Sequence, residues 1–484
     1  MSVLVKLLGY APDSDPTIPG VLTNCSGVIP SLKGMKAAPS PASAGMASLG
    51  VTCQGAALLY KLDGTNRFFA GSPAKLWEAG VSTWTDVSRA AAYTTVSTGK
   101  WRFAQNNNVS LAANGADTIQ ASVSSGAFSC IAGAPIAAIV ENVGQFVFAL
   151  NTSANTNGWQ TSALGDYSSW TTSIATQAVS GVLSPSPGPI TAGRAFGSAI
   201  VVYKKTSMYL GVNVGPPNIW QFEQIPGNAG AMSQEAVVNI GTVEYPKHIF
   251  MGEDDFYLYD GAKPIPIGSS RVKQTVFGSI MQSRYYACSA LHDRKNNVVY
   301  FYFPVADSVF PDHCVVYNYR TDRWGVDDRQ IQAATDFASS GVTYDALGGQ
   351  YSTYADLPNL PYDLAFLTSA QPTPAIFDTN NNLKTLTGVA TDSSFTTGDL
   401  GDDVMVSTVS RIRPRFLTQP TSATWTHYHR NNTGVTLTAD SAVALADGKF
   451  DILRSARWHR GTMALVGDWE MAGFSPEWVQ DGPE

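Results

Sequence analysis

Charge is the scarcest thing in this chain. Only 14% of its 484 residues are Asp, Glu, Lys or Arg, against about 25% in ordinary soluble domains. A monomer must solvate its whole outside, so a surface this poor in charge points to cover by copies of itself or by partners. Ser, Thr and Asn are the competing source of polarity. Basic residues are the thinner half. A net charge of -7 argues against a sequence-independent binder of DNA or anionic membrane, whose affinity comes from Lys and Arg neutralising phosphates. Cysteines are few and scattered. Cys25, Cys53, Cys130, Cys288 and Cys314 contain no C-x-x-C pair, which speaks against a zinc ribbon or thioredoxin-like centre and for reduced, buried thiols. No stretch approaches the roughly 20 apolar residues of a membrane helix. The Met1 to Tyr10 stretch is too short for a signal-peptide core, so a soluble, non-exported chain is expected. No Gly-x-Ser-x-Gly elbow, Walker A loop or dinucleotide fingerprint occurs either. The expectation is therefore no enzyme, no cofactor and no metal.

What is present is one local phrase, repeated. A short apolar strand runs into a polar turn and then into a second alternating strand. It reads Arg67-Phe68-Phe69-Ala70 then Lys75-Leu76-Trp77, and again Ala199 to Tyr203 then Met208 to Gly211. It returns as His248 to Met251, a Gly-Glu-Asp-Asp turn, and Phe256 to Gly261. A unit that cannot bury its own apolar face marks a repeat architecture, and hairpin units suggest propeller blades. Strand cores near Phe68, Phe103, Val147, Val201, Phe250, Tyr300 and Phe366 straddle the ~40–50 residue period of such blades. The sequence thus predicts an all-β fold, a β-propeller of about seven blades. Trp84, Trp170 and Trp324 sit in similar phrases and are expected to fill the wedges between blades, with sugar stacking as the alternative role.

Composition divides the rest. Residues 1–54, rich in Pro, Gly, Ala and Ser, read as an extended N-terminal arm. Residues 55–395 read as the propeller, with an insertion around 340–395 where turn residues cluster. Residues 396–484 read as a small C-terminal β domain. One helix is expected: Val272, Val276, Phe277, Ile280 and Met281 share a face, with Ser269 or Ser270 as cap.

Each candidate site has a plain structural explanation beside it. Glu253-Asp254-Asp255, Asp327-Asp328 and Asp402-Asp403 pair carboxylates, as glycoside hydrolysis requires, but they fall in turns, where solvated Asp is ordinary. His427 and His429 lie two apart in a strand and so on one face, as a metal pair could, with no third ligand at useful spacing. Arg411, Arg413 and Arg415 alternate in a strand, interrupted by Pro414. Arg454, Arg457, His459 and Arg460 form a second basic cluster. Charge protecting an edge strand explains them; an interface pairing Arg forks with carboxylates of a neighbouring subunit or adaptor is the sharper reading.

Taken in order, several phrases resemble the tail-nozzle, or packaged-DNA stabilisation (head-to-tail), proteins of short-tailed phages. They are Ser82 to Val87, Trp101 to Gln105 with Asn114 to Asp117, Trp159 to Trp170, Val214 to Phe222 and Gly230 through Gly241. Gly252 to Gly261 running on to Ile267-Gly268 is the strongest, followed by Asp293 to Phe301, Tyr317 to Val326 and Arg457 to Gly461 through Gly473. The likeness covers residues 55–330 well, the terminal domain moderately and 340–400 hardly at all. It implies a structural virion protein in the phage tail: a homohexamer below the portal and adaptor, retaining packaged DNA and forming the ejection channel. Tail fibres or spikes and a plug or needle would be partners, and the arm with the terminal domain would form an adaptor-facing platform. Duplex DNA would slide through the lumen without sequence-specific binding, and no small-molecule substrate is implied. Two other classes compete: a phage propeller glycosidase or depolymerase, and a receptor-binding propeller adhesin.

Overall fold

Period-two alternation fails in the strongest strands, and that failure sets the architecture. His248–Met251 and Val298–Phe303 are buried at every position, as only strands covered on both faces can be. In the computed structural model, which describes residues 4–96, 98–338 and 372–483, both are second strands of antiparallel sheets stacked face to face; Val298–Phe303 belongs to a ten-stranded sheet and His248–Met251 to a four-stranded one. Five such sheets follow one another along the chain, over residues 55–86, 102–130, 137–182, 192–225 and 237–266. A further one joins Ile331–Phe337, Thr373–Asp378 and Leu383–Gly388 to Ser40–Ser43 from the opening segment. Almost no helix accompanies them.

The sheets form a ring. The leading strands Gly55–Tyr60, Arg102–Asn106, Ala137–Val143, Ala192–Phe196, Val237–Asn239, Ser289–Asp293 and Ile331–Phe337 touch in succession, and the last touches the first. The protein is a β-propeller. The sequence spacing suggests about seven blades; the count is six, each an independent four-stranded sheet. The remaining sector, residues 289–326, does not end at its outer edge. Val326 pairs with Val28, and the sheet runs on through Val28–Pro30 and Met35–Ala37 into Glu470–Pro483, Met405–Thr418 and Phe450–Ala456. An open edge offers unpaired N–H and C=O groups, and here other strands of the chain take them up.

A second, eight-stranded sheet includes Gly9–Tyr10, Val21–Ser26, Asp392–Thr397, Ser422–Arg430 and Trp458–Val466. It packs on the extended sheet around Leu22, Phe395, Trp425, Phe450, Met463 and Phe474, all buried. Gly461 is required there: a Cβ would lie 1.8 Å from the Trp425 ring. The Pro-rich opening segment thus contributes strands to three sheets, and Val5–Lys6 pairs with Gly473 and Phe474 near the other chain end. Of the expected insertion around 340–395, residues 339–371 lie outside the described residues, as does Phe366; Thr373 onward builds the last independent blade.

The expected helix shortens to Lys273–Phe277. Neither Ser269 nor Ser270 caps it. The Asp13 carboxylate, from the opening segment, accepts bonds from the Thr275 amide at 3.1 Å and its hydroxyl at 2.6 Å, and from the Gln274 amide. Ser269 donates instead to Asp255. A cap supplied from 261 residues away leaves no local signature.

Trp84, Trp170 and Trp324 fill wedges as expected. Trp84 lies 5.9 Å from both Phe68 and Phe377, which come from adjacent blades. Trp324 packs against Phe256 of the neighbouring blade at 4.9 Å. Trp170 is buried among Leu111, Val140 and Val147, again from two blades.

Candidate functional site

The predicted basic residues separate into two places. Arg411, Arg413 and Arg415 lie on Met405–Thr418, in the extended sheet, while Arg457, His459 and Arg460 belong to the eight-stranded one. A register shift between Val409 and Arg411 resets the alternation. Arg411 then sits 3.4 Å from Glu477 and 3.5 Å from Asp451, and Arg413 binds the same Glu477. The Arg413 hydrogen bond holds the Glu477 carboxyl below the usual carboxylate range. Arg415 is exposed and has no ion pair among the described residues. Surface pairs of this kind contribute about 0–1 kcal/mol each, so this face is not there for stability.

The second cluster is structural. Arg460 and Arg430 share the buried Asp399 at 2.8 and 2.6 Å, and Arg454 pairs with Asp440. Arg457 flanks this group on the turn that follows Phe450–Ala456. His459 does not reach the surface: it is 1% exposed. Its Nε2 lies 3.0 Å from the Ser407 carbonyl and 3.1 Å from that of Ala456. Carbonyls only accept, so Nε2 carries the proton and Nδ1 accepts from His427 Nε2 at 3.0 Å. Burial, then the neighbouring His459, pushes His427 down to about 3. His429 faces Asp440 at 3.7 Å. Among the described residues no group of three or more His, Cys, Asp or Glu gathers as a metal site.

The carboxylate pairs do sit in turns, but two members are not solvated. Asp255, 1% exposed, accepts from the amides of Phe256 and Gly268 at 2.8 and 3.0 Å and so locks its hairpin. Asp327 is equally buried and takes a two-pronged bond from Arg329 at 2.7 and 2.9 Å. Asp402 caps the turn at Val404, and Asp403 accepts from the Trp458 indole. None of these pairs faces another across a cleft.

Sequence reading misses a charged cluster that the ring itself assembles. Lys100, Arg102, Arg194 and Glu235 line a cavity of about 140 Å³ on the propeller axis, with Gln234 and Ser289. Arg102 is clamped by Glu235 at 2.8 and 3.1 Å and donates to the Ala138 carbonyl. Arg194 lies 3.6 Å from Glu141 and donates to the Gln234 carbonyl, while its Nε has no partner among the described residues. Lys100 makes no hydrogen bond among them. Burial would raise Glu235, but Arg102 and Lys100 outweigh it and hold the carboxyl low. Burial raises Glu141 despite Arg194, and lowers Lys100 despite Glu235. These residues are scattered along the sequence and start successive blades, so only closure of the ring brings them together.

The class, a β-propeller, rests on the ring of sheets itself; comparison with known proteins adds no family to it. No protein-family model matches the chain, and no curated protein matches it. Among solved structures it is similar to YCF48 bound to a D1 peptide, at 12% identity and a TM-score of 0.34, over 62% of this chain and 86% of that one. It is similar to BBS1N in complex with ARL6DN, at 11% identity and a TM-score of 0.38, over 72% and 97%. A third is an exo-beta-1,3-galactanase from Phanerochaete chrysosporium, at 8% identity and a TM-score of 0.24, over 91% and 100%. Likenesses this distant carry no functional argument.

Proposed function

We propose that the chain is a structural subunit of a short-tailed phage tail: a nozzle or head-to-tail connector that, as a ring of six copies below portal and adaptor, retains packaged DNA and forms its exit channel. The observation that carries the reading is the ordered series of phrases resembling that family, running from Ser82 to Gly473. Its strongest piece, Gly252 to Gly268, is a complete blade hairpin locked by Asp255. A second support is mechanical. One sheet runs from the propeller into the terminal sandwich and holds both chain ends, so force applied to the sandwich passes to the propeller through hydrogen-bonded strands. In this reading the sandwich, with residues 1–54 woven into it, is the adaptor-facing platform. Fibres or spikes and a plug or needle attach elsewhere, and duplex DNA passes between subunits. A net charge of -7 suits a conduit that must not hold phosphate.

Electron microscopy of the purified protein and of tails carrying adaptor tests the assembly: rings of six are expected, and a chain that stays monomeric beside adaptor overturns it. The arginine face gives a sharper handle. Replacing Arg411, Arg413 and Arg415 together with Gln is expected to leave the thermal transition within a few degrees of wild type, since each surface pair contributes about 0–1 kcal/mol. The same change should reduce ring formation, read by sedimentation, at ordinary salt. Unchanged assembly would remove these residues from the interface.

A further inference from the structure

We propose that the axial cavity of the propeller is a binding site for a small oxyanion, seated against the Lys100 ammonium. Four observations converge. The cavity, about 140 Å³, is about ten times the 10–15 Å³ that one water requires in the same measure, so it has room for a tetrahedral or planar anion with its waters. The groups around it do not balance. Lys100, Arg102 and Arg194 are cations and Glu141 and Glu235 carboxylates, an excess of one positive charge even with both acids ionised.

The cations are also used unequally. Each Arg102 nitrogen has an acceptor, in Glu235 or Ala138. Lys100 has none, and Arg194 Nε is buried without one. The partly exposed Lys100 ammonium faces the cavity with no acceptor from the chain, so its three donors are open to solvent or to an anion, and a bound anion supplies what the chain withholds. Finally, the pocket offers a neutral donor suited to anion oxygens, the Ser289 hydroxyl, which too is buried without a partner among the described residues. Phosphate and small carboxylates share this chemistry. The cavity is closed to anything as large as a nucleic acid, so the site is separate from any channel between subunits.

The test uses the full chain, with inorganic phosphate and malonate as separate probes and chloride at matched ionic strength as the reference. Isothermal titration and phosphorus NMR line broadening read binding directly. Wild type is expected to bind one equivalent of phosphate, of malonate, or of both, the stronger probe naming the source of the anion. Lys100→Met should weaken binding by roughly 10–100-fold, the loss expected for one charge-assisted hydrogen bond, and Lys100→Arg should restore most of it. Glu141→Gln, which removes the carboxylate facing Arg194, should tighten binding several-fold, with circular dichroism checking that each variant is folded. No binding by either probe, or affinity unaltered in Lys100→Met and Glu141→Gln, overturns the proposal.

Discussion

Trp425→Ala is expected to lower the unfolding free energy of the terminal sandwich by about 3–5 kcal/mol, the range for deleting a buried Trp. The ring is 1% exposed and lies 6.0 Å from Phe450 and 5.8 Å from Phe474, so it spans the two sheets. Gly461 beneath it cannot move up to fill the void, because its backbone is fixed in register with His427. The indole N–H has no acceptor among the described residues. Trp425→Phe therefore shrinks the ring but also removes an unmet donor, and should cost only about 1–2 kcal/mol. Urea unfolding followed by circular dichroism measures both. A loss below about 1 kcal/mol for the alanine variant would mean that the sheets do not close on this residue.

Stability is expected to fall steeply as pH drops from 7.5 to 5. His248, buried completely, accepts from Tyr203 at 2.7 Å and lies 3.0 Å from the Ala195 carbonyl. Burial holds its pKa at about 4, and that of His292 likewise, while His427 lies at about 3. Each folded value is below the ordinary 6.5. The unfolded chain therefore binds more protons, and the stabilisation present above pH 6.5 is lost as pH falls toward the folded values. By pH 5 the loss is roughly 2 kcal/mol for each of these histidines. His427 and His459 share a bond, so the contributions of that pair do not simply add.

Buried acids such as Asp327 and Asp336, raised by desolvation, work in the opposite direction. Their effect runs upward in pH from the ordinary carboxylate value and so offsets part of the histidine loss. Calorimetric melting at pH 7.5, 6.5, 5.5 and 5.0 should show a drop of several degrees, with a shallower slope in His248→Gln and in His427→Gln. A flat profile would mean that these rings are already protonated or exposed.

The propeller was readable because its cause is local. Each hairpin carries its own apolar strands and its own turn, and Phe68, Val147, Val201, Phe250 and Tyr300 fall in second strands, while Phe103 falls in a leading strand. The wedge tryptophans were readable for the same reason. What escaped depends on pairing between distant strands. Nothing in Val28 announces that it will extend the sheet of Val326, which is why one sector looked like an independent blade. Asp13 caps a helix from 261 residues away, and its sequence neighbours look like any turn. Asp255 and Asp327 resemble solvated turn residues until the packing of adjacent blades covers them. The axial cluster is the extreme case: Lys100, Arg194 and Glu235 have no sequence relation, and closure alone gives them a common environment.

The strand Ser40–Ser43, paired with Lys384 to Gly388, carries a temporal consequence. Synthesis at about 5–20 residues per second delivers the first half of that clasp on the order of tens of seconds before the second. Throughout that interval the nascent circle stands unlatched, with an early strand waiting for its mate. Cleavage or a stall after residue 338 would leave a gapped arc rather than a smaller wheel.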